Sequence, residues 1–136
     1  TTDFNAYEGK KADYLVWLYA RNIARDIKGT IWYNGSWPDP EHSSDLWGRP
    51  AYDAFTFAAN KLDGAIHQQD LSLGAGIKGF EFIANSGRIW VLFTEDGSQK
   101  TINKPASVDT VYDLFGNVLT TGSTISFSRP IYIEFQ

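Results

Sequence analysis

The sequence predicts a mixed, mainly β chain: a C-terminal antiparallel β-sandwich preceded by a helix–strand–helix segment. Before Gly64 the apolar residues recur with the period of a helix, and after it they alternate with a period of two. The second half is also cut at short intervals by glycine turns, Asn85-Ser86-Gly87, Glu95-Asp96-Gly97 and Phe115-Gly116-Asn117. The change of period divides the chain into a helix–strand–helix segment, 1–64, and a sandwich, 65–136.

The first helix is predicted over Lys10–Ile27, with Ala12, Val16, Tyr19, Ala20, Ile23 and Ile27 on one face. Lys11, Asn22, Arg25 and Asp26 hold the opposite face. Leu15 and Leu18 fall on that polar side, with Tyr14 and Trp17 flanking it. Either the helix is covered on more than one side in its full context, or these are scattered surface apolars. Gly29 is expected as the residue that ends the helix. Thr30-Ile31-Trp32-Tyr33 does not alternate, which predicts a strand buried on both faces, as in a parallel sheet. Asn34–Gly48 is a loop. Pro50 suits the first position of a second helix over Ala51–Leu62, with Gly64 after it. Its stripe is Ala51, Tyr52, Ala54, Phe55, Ala58, Ala59 and Leu62.

In the second half, Phe80 and Phe82 alternate with Glu81, and Ile89, Val91 and Phe93 oppose Trp90 and Leu92. Further strands are predicted at 99–103, 108–114, 118–121, 124–128 and 131–135. Pro105 and Pro130 are expected at strand edges, where a missing N–H is tolerated. The last strand sets Ile131, Ile133 and Phe135 against Tyr132 and Glu134 and is expected to close the sheet. One strand cannot complete a parallel sheet, so the partners of Thr30–Tyr33 are expected upstream.

Composition narrows the function. The chain has 136 residues and a net charge of −4, with 12 Lys+Arg spread along it, which argues against a nucleic-acid binder. No apolar run approaches the length of a membrane span. Without cysteine there is no disulfide, thiolate metal site or thiol nucleophile. Aromatics reach 15%, Met is absent, and the chain opens Thr1-Thr2-Asp3, so an excised or processed piece of something larger is expected. The lack of Cys suits a secreted bacterial protein, and a secreted or extracellular location is expected.

The ordered motifs resemble the C-terminal end of retaining glycoside hydrolases that carry a (β/α)8 barrel and an appended β-sandwich. The run Lys11-Ala12-Asp13-Tyr14-Leu15-Val16-Trp17-Leu18-Tyr19-Ala20 resembles the seventh barrel helix. Ile27–Tyr33 resembles the turn into the eighth strand. Asp45-Leu46-Trp47-Gly48-Arg49-Pro50-Ala51-Tyr52-Asp53-Ala54-Phe55 is similar to the stretch before the eighth helix. Val111–Asn117 and Arg129–Glu134 are similar to segments of the accessory sandwich. The resemblance implies that segment 1–64 is the end of a TIM-type barrel. It also implies that the acid/base and nucleophile glutamates follow barrel strands four and seven, before Thr1. No catalytic residue is therefore expected in this chain, which alone is expected to be inactive.

Among candidate residues, Glu8, Glu41, Glu81, Glu95 and Glu134 supply carboxylates. Glu81 and Glu134 are expected to point outward, and Glu8 to precede a helix and serve its N-terminus. Asp39, Glu41, His42 and Asp45 match no calcium or zinc spacing, so neither metal nor cofactor is expected. His67 stands alone. Asn34-Gly35-Ser36 fits the glycosylation sequon. The aromatic loop carries the most function. Trp32, Tyr33, Trp37 and Trp47 lie at or after the end of the predicted parallel strand, where barrel ligands are met. Flat rings stack on the apolar faces of sugars. The resemblance implies one such ring at the end of strand eight; Trp32 is the nearest match and Tyr33 the alternative. A core role between sheet and helix competes for Trp32. The partners so implied are a carbohydrate, bound by the complete enzyme, and the upstream barrel of the same polypeptide. The rival reading is a stand-alone carbohydrate-binding or interaction module working through the sandwich, with Trp90 as its candidate contact.

Overall fold

A computed structural model of the chain describes residues 2–32 and 44–136. Two helices come first, α1 (Thr2–Ala24) and α2 (Pro50–Lys61). Seven strands follow: β1 (Ile66–Ser72), β2 (Ile77–Ala84), β3 (Gly87–Thr94), β4 (Lys100–Asn103), β5 (Val108–Asp113), β6 (Thr124–Phe127) and β7 (Ile131–Phe135). The chain is thus mixed and mainly antiparallel β after a helical segment. Among the described residues no helix is long and apolar enough to cross a membrane.

α1 is longer at its start and shorter at its end than its apolar period predicts. It stops at Ala24 because Asp26, not Gly29, takes the left-handed conformation, at φ 55°. The Ile27 N–H then donates to the Asn22 carbonyl at 2.9 Å and the Asp26 N–H to that of Ile23 at 3.1 Å. This is the paired closure of a helix end, and aspartate tolerates it where glycine is usual. Both helices meet along small residues. Ala12, Val16 and Ala20 of α1 and Ala51, Ala54 and Ala58 of α2 are all 0% exposed. Leu15 and Lys11, expected on the polar face, are also buried, so α1 is covered on more than one side.

The predicted strand at Thr30–Tyr33 is not formed over its described residues 30–32, and Ile31 is 98% exposed. A strand exists through its ladder of hydrogen bonds, and no described strand pairs with this one.

The main sheet has five antiparallel strands in the order β1-β2-β3-β7-β5, and β4 and β6 form a second, two-stranded sheet. β7 does not close the sheet but lies between β3 and β5, which explains why Tyr132 and Ile133 are fully buried. Residues 118–121 form no strand, only an isolated bridge from Val118 to Tyr112. β1 is an edge strand that the sequence pattern does not reveal. Apart from Ile66 and the buried Leu71 its residues are polar, most are exposed, and the pairing is shifted by an irregularity between His67 and Gln69.

Two apolar layers flank this sheet. On one face Phe80, Phe82, Ile89, Val91 and Tyr132 pack with the helices. On the other, Leu92, Ile131 and Ile133 meet Ile102, Ile125 and Phe127 of β4 and β6. The turn after β5 locks the helical side. Asp113 accepts from the N–H groups of Phe115 and Asn117 at 2.8 and 2.9 Å, and Gly116 takes φ 90° above Phe57 of α2. Lys61 of α2 pairs with Glu134 at 2.6 Å, and Glu134 also accepts from the Tyr112 hydroxyl at 3.0 Å. Arg129 donates to Asp13 at 2.8 Å and to the Gly9 carbonyl at 3.1 Å, tying α1 to the start of β7. Helices and sheet therefore share one core.

Candidate functional site

A groove of about 510 Å³ lies between α1, α2 and the segments at 27–32 and 44–47. Trp32 and Trp47 both line it. Trp32 is half-buried: its indole N–H donates to the Ser44 carbonyl at 2.8 Å, and its ring lies 6.4 Å from that of Tyr14. It packs on the shared core while keeping part of its surface on the groove. Trp47 is 74% exposed and tilts onto Tyr52 at 5.2 Å. Its backbone is set by the Asp45 carboxylate, which accepts from the Trp47 N–H at 3.1 Å. Tyr33 and Trp37 lie outside the described residues, as do Asp39, Glu41, His42 and the Asn34-Gly35-Ser36 sequon.

Two walls of the groove were not legible as a site in the sequence. Tyr52 and Phe55 belong to the apolar face of α2, yet they stand 36% and 37% exposed. Leu15 and Leu18, which fall off the predicted face of α1, line the opposite wall. No described carboxylate lines this groove, and Asn22 already donates to the Thr30 hydroxyl. The groove can therefore hold an apolar surface or a flat ring, and its one charged described lining residue, Lys28, is paired with Asp26.

The carboxylates sit elsewhere, and three differ from expectation. Glu8 lies inside α1, only 2% exposed, accepting from Lys11 at 2.8 Å. Lys11 also donates to the Asp45 carbonyl at 2.7 Å, so this buried pair anchors the segment before α2. Glu81 is buried rather than outward. It accepts from Trp90 at 2.5 Å, from Arg88 at 2.7 Å and from Gln69 at 3.2 Å. Burial opposes its ionisation, but those three hydrogen bonds outweigh it and hold the carboxyl below its ordinary value. Glu134 is turned inward against Lys61 and Tyr112 because its strand is interior. Asp13 moves the other way: burial raises its pKa, only partly offset by the charge of Arg129. His67 is not alone. It meets Asp70 at 2.9 Å and stands edge-on to Phe80 and Phe82, each at 6.0 Å. Among the described residues no three His, Asp or Glu side chains converge on a point where a metal ion would sit.

Trp90, the candidate contact of a binding module, is half-buried on the sandwich face. Its N–H is given to Glu81, and its ring packs on Phe135 at 4.9 Å. Arg88 lies over Phe135 at 4.3 Å.

No protein family matches the chain, and no curated protein does. Among solved structures, the fold is similar to part of a family 39 glycoside hydrolase from the gut symbiont Bacteroides cellulosilyticus WH2, with a TM-score of 0.68 and 19% identity. The likeness covers 92% of this chain and 30% of that one, so the chain spans less than a third of that enzyme's length. It is a likeness of fold, and it spans the two helices and the sandwich together.

Proposed function

We propose that this chain is a non-catalytic C-terminal part of a glycoside hydrolase: the last helices of a barrel, 1–64, followed by a structural accessory sandwich, 65–136. The observation that carries the reading is the fold likeness, which takes in 92% of this chain but only 30% of a glycoside hydrolase. Two local features support it. Ile31, 98% exposed in a run that reads as a doubly buried strand, is what a barrel strand looks like without its neighbours. The apolar wall beside it, Ile27, Tyr52 and Phe55, is a surface on which such a barrel would pack.

In this reading the barrel belongs to the same polypeptide and supplies both carboxylates of a retaining mechanism, about 5–5.5 Å apart. Trp32, Tyr33, Trp37 and Trp47 line the sugar subsite at the open end of strand eight, where ligands of such barrels bind. Their role is to stack on the sugar face, and the enzyme acts outside the cell.

The test is the coding sequence preceding the Thr1 codon. It is expected to encode a strand ending in glutamate shortly before Thr1 and an Asn-Glu pair further back. A preceding sequence with neither overturns the reading. The 136-residue chain itself is expected to release no nitrophenol from aryl glycosides, and turnover would contradict its non-catalytic role. The rival module reading needs a free aromatic platform on the sandwich, and Trp90 is instead engaged by Glu81 and Phe135. Polysaccharide binding lost in Trp90→Ala but kept in Trp32→Ala would restore that rival.

A further inference from the structure

A larger cavity, about 830 Å³, lies between α1 and the end of the sheet where β1 finishes and β2 begins. It shares no lining residue with the Trp32–Trp47 groove. Asp13, Trp17 and Arg21 follow at four-residue spacing on α1, so they form one wall about 12 Å long, with Arg25 just beyond the helix end. Rings make the floor: Trp17 meets Phe93 edge-on at 6.5 Å, and Phe93 meets Phe80 at 5.9 Å.

The charges around this cavity cancel in pairs, with one exception. Asp13 is matched by Arg129 at 2.8 Å, Arg25 by Asp70 at 2.6 Å, and Lys78 by Glu95 at 2.6 Å. Arg21 remains. Its guanidinium lies 4.9 Å from the Trp17 ring centroid and makes no ion pair among the described residues. The ring beneath it limits the rotamers of a long side chain, and Arg21 lines the cavity.

We propose that this cavity binds a small amphipathic carboxylate, an aromatic body bearing a single carboxyl group. The carboxylate pairs with the Arg21 guanidinium, and the body lies along Trp17 and the small exposed edges of Phe80 and Phe93. Three features favour that class. A guanidinium fork matches a carboxylate with two parallel hydrogen bonds. A cavity of this size, with ring edges at its floor and its charges other than Arg21 already paired, suits a drug-sized ligand. A saccharide fits poorly, because the carboxylates that would take its hydroxyls are already held by Arg129, Arg25 and Lys78.

The test is titration of the full 136-residue chain with trans-cinnamate and, separately, with neutral cinnamamide. Calorimetry is combined with ¹⁵N chemical shifts of the Trp17 indole and Arg21 side chains. Cinnamate is expected to saturate and shift both resonances, with cinnamamide about tenfold weaker. Arg21→Gln is expected to lose about the same factor at unchanged melting temperature, and Arg21→Lys to recover only part of it. Equal binding of the two probes overturns the proposal, as does cinnamate binding that survives Arg21→Gln or shifts Trp32 and Trp47 instead. Galacturonate or an acetylated Asp-Asp peptide binding as tightly as cinnamate overturns the aromatic class. No saturation by millimolar cinnamate overturns the site.

Discussion

The sandwich and the helical segment close their surfaces to different degrees. Both faces of the five-stranded sheet carry a buried apolar layer, and the exposed large apolars of that half are one cross-strand pair, Ile66 and Ile83, and Val118. In the helical half, Ile27, Trp47, Tyr52 and Phe55 line one groove, and Ile31 stands between two of its lining residues. Scattered apolars need no explanation, but a contiguous group does. The sandwich thus covers nearly all of its large apolar side chains, whereas the helical half leaves a contiguous group of them exposed among the described residues.

The largest effect that can break this comparison is in the shared core. Phe82 is 0% exposed and sits among Phe80 and His67 at 6.1 and 6.0 Å. Phe82→Ala is expected to lower unfolding free energy by about 3–5 kcal/mol, read from the urea midpoint. Tyr52→Ala, on the groove, is expected to change it by about 0.5 kcal/mol or less. Equal losses would mean that the groove is as complete as the core.

Next comes the junction between the halves. A Cβ on Gly116 would lie 2.6 Å from Phe57 of α2, at a φ of 90° that side chains rarely adopt. Gly116→Ala is expected to cost about 1–3 kcal/mol. Adding Phe57→Leu relieves the clash but not the backbone, so a double-mutant cycle separates the two contributions. Full additivity would show that the turn does not rest on α2.

A smaller effect comes from acid. Glu81 and Asp70 both have carboxyls held below their ordinary values. For Glu81, burial opposes ionisation and the hydrogen bonds from Trp90, Arg88 and Gln69 prevail. For Asp70, the hydrogen bond from Arg25 is the chief cause. A depressed folded pKa contributes stability that is present above the unfolded pKa and is lost as pH falls through the folded one. Stability is therefore expected to drop below about pH 4.5, the ordinary value for Glu81. Glu81→Gln is expected to flatten that drop more than Asp70→Asn, because Asp70 is half-exposed. Added salt should weaken only the Asp70 share. An acid limb unchanged in Glu81→Gln would show that the Trp90–Glu81–Arg88 group does not hold the carboxylate ionised.

Much of this architecture was legible in the sequence, and the gaps have physical causes. Pro50 and the alanine stripe of α2 mark the second helix because backbone restriction and period act locally. The hairpin of β2 and β3 shows in its alternation and its Asn85-Ser86-Gly87 turn. β1 was missed because an edge strand keeps a polar sequence, and an irregularity at His67–Gln69 breaks its period. The interior place of β7 is a matter of strand order, which no local pattern records, and it reverses the expected exposure of Glu134. Lys11 reads as polar yet is buried, because its partners, Glu8 and the Asp45 carbonyl, include one 34 residues away. Of the four aromatic site candidates, Trp32 and Trp47 border one groove. The groove's other wall, Tyr52 and Phe55, looked like ordinary core because period alone does not tell what covers a face.

The smallest expected effect sharpens the comparison most. Ile31 is 98% exposed, so Ile31→Ser is expected to change stability by no more than about 0.5 kcal/mol. The same substitution removes a large apolar side chain next to the groove of Trp32 and Trp47. If that face is a surface awaiting a partner, isolated chains should use it on each other. Sedimentation velocity is then expected to show concentration-dependent self-association, reduced in Ile31→Ser and further in the double variant with Trp47→Ser. A loss of folding stability in Ile31→Ser would instead mean that the side chain is already covered within this chain, and the helical half would then be as self-contained as the sandwich.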